Sequence, residues 1–368
     1  MSAESRTGQP AEGTSSGGPS RRTFLKGVGL AGAAGLAAPL LATTTARAAT
    51  EGIVLGANAG CWSPPTGTES WPQAVKNALG CRSYRDKPFK QASDFAGAIF
   101  PGEPGSKPVA SIRPDPANLL NGDFDSVIKD FIATGMALAI DPSNPNNFAG
   151  TPQLTVWHEA GNLYTDKTAP IPKTNWTWGD FDLSPQTVRS MHVYMQDLCN
   201  QVATANPTLP RVEYGSIIYG EISKMASDTD STHNWVPDPG YPLDWYGIDV
   251  YYEGDPPDTG STSPHADLAT YDLVSQYMDG FLSMARNRSG LTWPKINVCE
   301  CNANVTNDGS RPLFFENLAL WLNNNGGRRM LTFFPDPAGP HSVTWEHVVA
   351  ASPQQTIEAL NYIQRTYG

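Results

Sequence analysis

The stretch TVWHEAGN, residues 155–162, ends an apolar run on a histidine and a glutamate and breaks at Gly161. Extended back to LTVWHE (154–159), it is one of eight short runs rich in β-branched and aromatic residues. The others are IVLGAN (53–58), CRSYRD (81–86), PVASIRP (108–114), RVEYGSIIYG (211–220), LDWYGIDVYY (243–252), KINVCE (295–300) and RMLTFFPD (329–336). Such runs read as strands. Between them apolar residues fall at steps of three and four, the mark of amphipathic helices. These segments are Trp71–Leu79, Asp123–Thr134, Thr187–Ala205, Leu268–Arg286, Pro312–Asn323 and Pro353–Arg365.

Strands alternating with helices imply parallel pairing through right-handed crossovers. Eight such units close into an α/β (β/α)₈ TIM barrel. The rival, an open doubly wound sheet, carries a glycine-rich phosphate turn after its first strand, and none is found. Gly27–Gly32 matches G-x-G-x-x-G letter for letter, but nothing strand-like precedes it.

In a barrel of this kind the active site lies at the C-terminal ends of the strands. Glu159 ends the fourth run and Glu300 the seventh, on what a closed barrel makes opposite walls. Breaking a glycosidic bond needs a proton on the leaving oxygen and negative charge beside the oxocarbenium ion, so a pair of carboxyl groups suits that chemistry. Held close together, two carboxylates cannot both ionise easily, and one pKa is driven up. A charge flanked by Cys299 and Cys301 at the end of an apolar strand is rarely buried without purpose. Period-two alternation places both cysteines on the face opposite Glu300.

A glutamate ending strand four and another ending strand seven resemble the pattern of the clan A retaining glycoside hydrolases. His158 before the first glutamate, and Gly247-Ile248-Asp249-Val250-Tyr251 ending the sixth run, are similar to glycoside hydrolase family 26, the β-mannanases. The resemblance implies Glu159 as acid/base, Glu300 as nucleophile and Tyr251 as the partner that orients it. It also implies His158 in the sugar subsite and a β-linked glycan, β-mannan by likeness, as substrate. It spans the third to the seventh run. Where that family places Asn two residues after the acid/base, this chain has Gly161, with Asn162 one later.

Other residues have two readings. His158 serves equally as a satisfied core histidine. Arg85 and Arg113, closing the second and third runs, either steady the nucleophile or form salt bridges within the barrel. Of the ten tryptophans, Trp176 and Trp345 are candidates for stacking on sugar faces, and Asn162 for a polar contact. Trp245 and Trp321 read as core. A zinc site of H-E-x-x-H type needs His at 162, where Asn stands. No metal and no cofactor is expected. A second class of function, a non-catalytic carbohydrate-binding barrel, fits the altered spacing after Glu159.

Residues 1–48 read as a twin-arginine signal peptide: Arg21-Arg22 with Phe24-Leu25-Lys26, an apolar run to Leu41 and an Ala46-Arg47-Ala48 cleavage site. Residues 49–368 are then the barrel domain of a secreted protein, expected as a monomer without membrane attachment after cleavage. The leader carries Arg6, Arg21, Arg22, Lys26 and Arg47 against Glu4 and Glu12; removing its +3 from the whole-chain −11 leaves −14. That charge disfavours nucleic acid and does not hinder a neutral polysaccharide. Of five cysteines, Cys61 and Cys81 are a possible bridge, and the odd number leaves at least one thiol free.

Overall fold

The computed structural model describes residues 52–58, 81–84, 88–101, 105, 107–140, 147, 150–158, 160, 177–178, 181–220, 235–252, 270–303, 310–325, 327–331 and 353–368. The chain divides into two units, Met1–Arg47 and Ala48–Gly368, and every described residue belongs to the second.

Strands form where the apolar runs lie. They are β1 Val54–Asn58, β2 Cys81–Tyr84, β3 Val109–Ile112, β4 Gln153–Val156, β5 Glu213–Gly220, β6 Trp245–Tyr252, β7 Ile296–Ala303 and β8 Gly327–Leu331. All pair in parallel, in the order β1-β8-β7-β6-β5-β4-β3-β2, and the ring closes between β2 and β1. The fold is a (β/α)₈ barrel. Parallel order puts β5 and β6 between β4 and β7. β4 and β7 thus stand three places apart in the ring of eight, on opposite walls, and both open onto one rim.

Each strand's two faces meet different surroundings. Leu154 and Val156 of β4, Ile248 and Val250 of β6, and Ile296 and Val298 of β7 belong to the large core between barrel and helices. Each such buried aliphatic side chain contributes about 1.5–3 kcal/mol. Val109, Ile217, Trp245 and Cys299 form a separate cluster inside the barrel. There Trp245 lies against two glycines: a Cβ on Gly215 would sit 2.2 Å from its indole, and one on Gly247 2.9 Å from it. Near the N-terminal ends of the strands the interior is polar. Gln153 donates to Glu213 at 3.1 Å, Asn297 donates to Gln153 at 2.8 Å, and Lys295 pairs with Glu213.

The cysteines correct the expected alternation. Cys299 is inside the barrel, and Cys301 is in the outer core. The β6–β7 register runs Ile248 opposite Val298 and then Asp249 opposite Glu300, skipping Cys299. This β-bulge adds one residue to β7 and shifts its period-two phase.

Helices cover the outside. α1, Pro116–Asn121, is capped by Asp115, whose carboxylate accepts from the Ala117 and Asn118 amides at 2.9 and 3.1 Å. Gly122 ends it in the left-handed region, φ 86°. α2 follows as Asp125–Leu138, so a six-residue helix precedes the one helix expected here. α3, Pro185–Ala205, buries Val188, Met191, Met195, Leu198 and Val202, as its spacing predicts. α4 is Tyr271–Ser289, α5 Ser310–Asn324 and α6 Pro353–Tyr367. α6 is tied to the first strand, its Tyr367 carbonyl accepting from the Ile53 amide at 2.6 Å. Trp245 and Trp321 are fully buried, as expected. Cys199, Cys299 and Cys301 are all buried. The expected helix Trp71–Leu79 and Cys61 lie outside the described residues, and with Cys61 the Cys61–Cys81 pairing.

Candidate functional site

The C-terminal rim is best defined where β3 and β4 end. β4 stops at Val156, earlier than its apolar run suggests. Trp157 then takes a left-handed backbone conformation, φ 43°, the sole non-glycine residue with positive φ among those described. That conformation costs an ordinary side chain about 1–2 kcal/mol, so something must hold it. The Trp157 amide donates to the Ile112 carbonyl at 3.0 Å, and its indole Nε1 donates to the Pro114 carbonyl at 2.7 Å. The ring packs against Phe181 at 5.6 Å, and the Arg113 guanidinium lies 5.9 Å from its centroid, within cation–π range.

The turn inverts the alternation of β4. In a continuing strand residue 157 would share the inner face with Gln153 and Thr155, and residue 158 the outer face with Leu154 and Val156. Trp157 instead joins the outer core. His158 meets Ser111, which shares the inner phase of β3 with Val109. Its Nδ1 is 2.9 Å from the Ser111 hydroxyl, and both residues are buried. The hydrogen bond satisfies one polar atom of a buried imidazole. His158 is thus a hydrogen-bonded histidine of the barrel interior, at the mouth.

The second part of the rim is the β6–β7 pair. Both strands are long, eight residues each, and stay paired through Tyr252 and Ala303. β7 continues three residues beyond the end expected at Glu300. Glu300 stands in register with Asp249, Cys301 with Val250 and Asn302 with Tyr251. Asp249 is fully buried, in phase with Trp245 and Gly247 on the inner side of β6.

The residues singled out by sequence are placed unequally. His158 and Arg113 come together around Trp157. Glu300 and Tyr251 are placed through the backbone of β7 and β6. Glu159, Asn162, Arg85, Trp176 and Trp345 lie outside the described residues, and with Glu159 the separation of the two carboxylates. Arg113 has the aromatic partner Trp157, which neither of its two sequence readings included. Three residues at the rim were not singled out by sequence: Ser111, Trp157 as a turn, and Asp249. Asp249 had a legible signal, since Trp245, Gly247 and Asp249 share one period-two face. Among the described residues no three His, Cys, Asp or Glu side chains gather as a metal site.

No family model and no curated protein matches the sequence. Solved structures do resemble the fold. A family 26 β-mannanase from Bacteroides ovatus aligns over 88% of this chain and 91% of its own, with TM-score 0.49 and 12% identity. A mannanase from Bacillus subtilis aligns over 82% and 88%, with TM-score 0.40 and 13% identity. An endo-β-1,4-mannanase from Thermotoga petrophila aligns over 87% and 77%, with TM-score 0.44 and 8% identity. At such identities the likeness is one of fold, and the barrel assignment stands on this chain's own strand pairing.

Proposed function

We propose that this chain is an exported retaining glycoside hydrolase of a β-linked glycan. The observation that supports the reading is a closed parallel barrel whose seventh strand carries Glu300 and whose fourth strand ends, in sequence, three residues before Glu159. Glu300 is on β7, and Glu159 follows the strained turn that ends β4. In this reading Glu159 protonates the leaving oxygen and then deprotonates water. Glu300 attacks the sugar and is released in the second displacement, with Tyr251 of β6 orienting it. A retaining mechanism places two such carboxyl groups about 5–5.5 Å apart. The general-acid contribution is typically about 10²–10⁴-fold in rate. The substrate class is a neutral β-glycan, β-mannan by the sequence resemblance, and the leader carries the protein out of the cytoplasm.

The test is a pair of variants assayed on a soluble β-glycan and on an aryl glycoside with an activated leaving group. Glu300→Ala abolishes turnover of both. Glu159→Ala loses the glycan but keeps the aryl substrate, and azide restores its deglycosylation step. Equal loss on both substrates, without azide rescue, removes Glu159 from the acid/base role.

One observation favours a second reading. Gly161 stands where the resembled family has Asn, so a barrel that binds glycan without cleaving it fits the altered spacing. It predicts saturable glycan affinity with no product.

A further inference from the structure

We infer that Trp157 and Ser111 are positioning residues. The left-handed turn at Trp157 exchanges the faces of two successive side chains, and Ser111 then fixes the orientation of the imidazole delivered inside. The catalytic consequence rests on the glycosidase reading above, because Glu159 is the next residue along the same backbone.

The argument is one of phase and restraint. Without the turn, alternation would put a large indole inside the mouth and an imidazole among Leu154 and Val156 in the apolar outer core. With it, the indole fills the outer layer against Phe181, and His158 reaches Ser111. A non-glycine residue keeps such a conformation only when its surroundings over-determine it. Here Ile112, Pro114 and Arg113, all at the end of β3, together with Phe181, supply that restraint. The end of β3 is thus the template on which the end of β4 is shaped. The two ring nitrogens of a histidine are distinct, and a partner on Nδ1 sets both the tautomer and the ring's rotation. Ser111, itself buried on a barrel strand, is a rigid partner for that purpose.

The experiment separates backbone conformation from side-chain contact. Trp157→Gly and Trp157→Ala both remove the indole, but only glycine accepts positive φ without strain. The expected result is that Trp157→Gly retains about ten-fold more kcat than Trp157→Ala, the factor to which left-handed strain corresponds. Ser111→Ala is expected to shift the His158 imidazole nitrogen resonances in long-range ¹H–¹⁵N spectra. It should also lower kcat/KM on a soluble β-glycan about ten-fold, with Ser111→Thr restoring both readouts. Unmoved imidazole resonances in Ser111→Ala overturn the role of Ser111. Parallel losses of stability and turnover in the two Trp157 variants overturn the role of the turn. If neither Trp157 variant folds, the Ser111 pair decides for the imidazole restraint on which the inference depends. If the wild-type protein cleaves no glycan, the glycosidase reading fails. The imidazole shift and the relative thermal stability of the glycine and alanine variants then still decide the positioning role.

Discussion

His192 shows how burial sets the behaviour of a single residue away from the rim. It lies on α3, 3% exposed, with Nδ1 2.8 Å from the Tyr214 hydroxyl. Burial disfavours the imidazolium and pushes its pKa down from 6.5 to about 3. The folded state therefore binds fewer protons than the unfolded chain between these values. The group's contribution to stability is complete above pH 6.5 and is lost as the pH falls toward 3. Between pH 7 and pH 5 it amounts to about 2 kcal/mol. Urea unfolding at the two pH values should show that loss in the wild-type protein, and His192→Gln should remove most of it. An unchanged pH dependence in the variant would mean that His192 is not held neutral. At this scale the rim was only partly legible in sequence. Glu159 and Glu300 stand out because charges follow apolar runs. The turn at Trp157 does not, because no glycine or asparagine marks it; contacts from β3 and Phe181 impose it. The bulge at Cys299 leaves one trace in sequence, since Glu300 falls in the period-two phase of Ile296 and Val298, where unbroken alternation would put a charge among the outer aliphatics.

At the scale of elements, the barrel interior is specified by size complementarity between strands. Trp245 of β6 occupies space that Gly215 of β5 and Gly247 of its own strand leave open, and its Nε1 donates to the Glu213 carbonyl at 3.3 Å. A methyl on Gly215 would lie 2.2 Å from the indole and 2.5 Å from the Trp245 carbonyl oxygen. Overpacking of this kind costs about 1–3 kcal/mol. Gly215→Ala should therefore lower the urea midpoint, and in a Trp245→Leu background the loss should shrink, because neighbouring changes couple. The same loss in both backgrounds would show that the indole is not what fills the space. The eight strands themselves were legible, since each is a β-branched and aromatic run between helical patterns. Their ends were less so: β4 stops three residues early and β7 runs three residues further. The short helix α1 had a readable signature in Asp115, Pro116 and Gly122, a cap, a first-turn proline and a left-handed stop. Its six residues hold too little apolar periodicity to stand out by pattern alone.

For the whole molecule, parallel closure turns a linear alternation into a rim. Residues more than a hundred positions apart, such as Val156 at the end of β4 and Ala303 at the end of β7, are brought to one end of one ring by strand direction alone. The acidic balance of the chain, −11 in net charge, suits a partner that carries no charge, and a neutral glycan is such a partner. The central claim is that two glutamates on this rim cleave a β-glycoside by two successive displacements. Proton NMR of the first sugar released by the purified protein from a soluble β-glycan tests it most directly. The account predicts the β-anomer first, with the α-anomer growing in only by mutarotation. Release of the α-anomer first, or no release from any β-glycan in a broad panel, would contradict it.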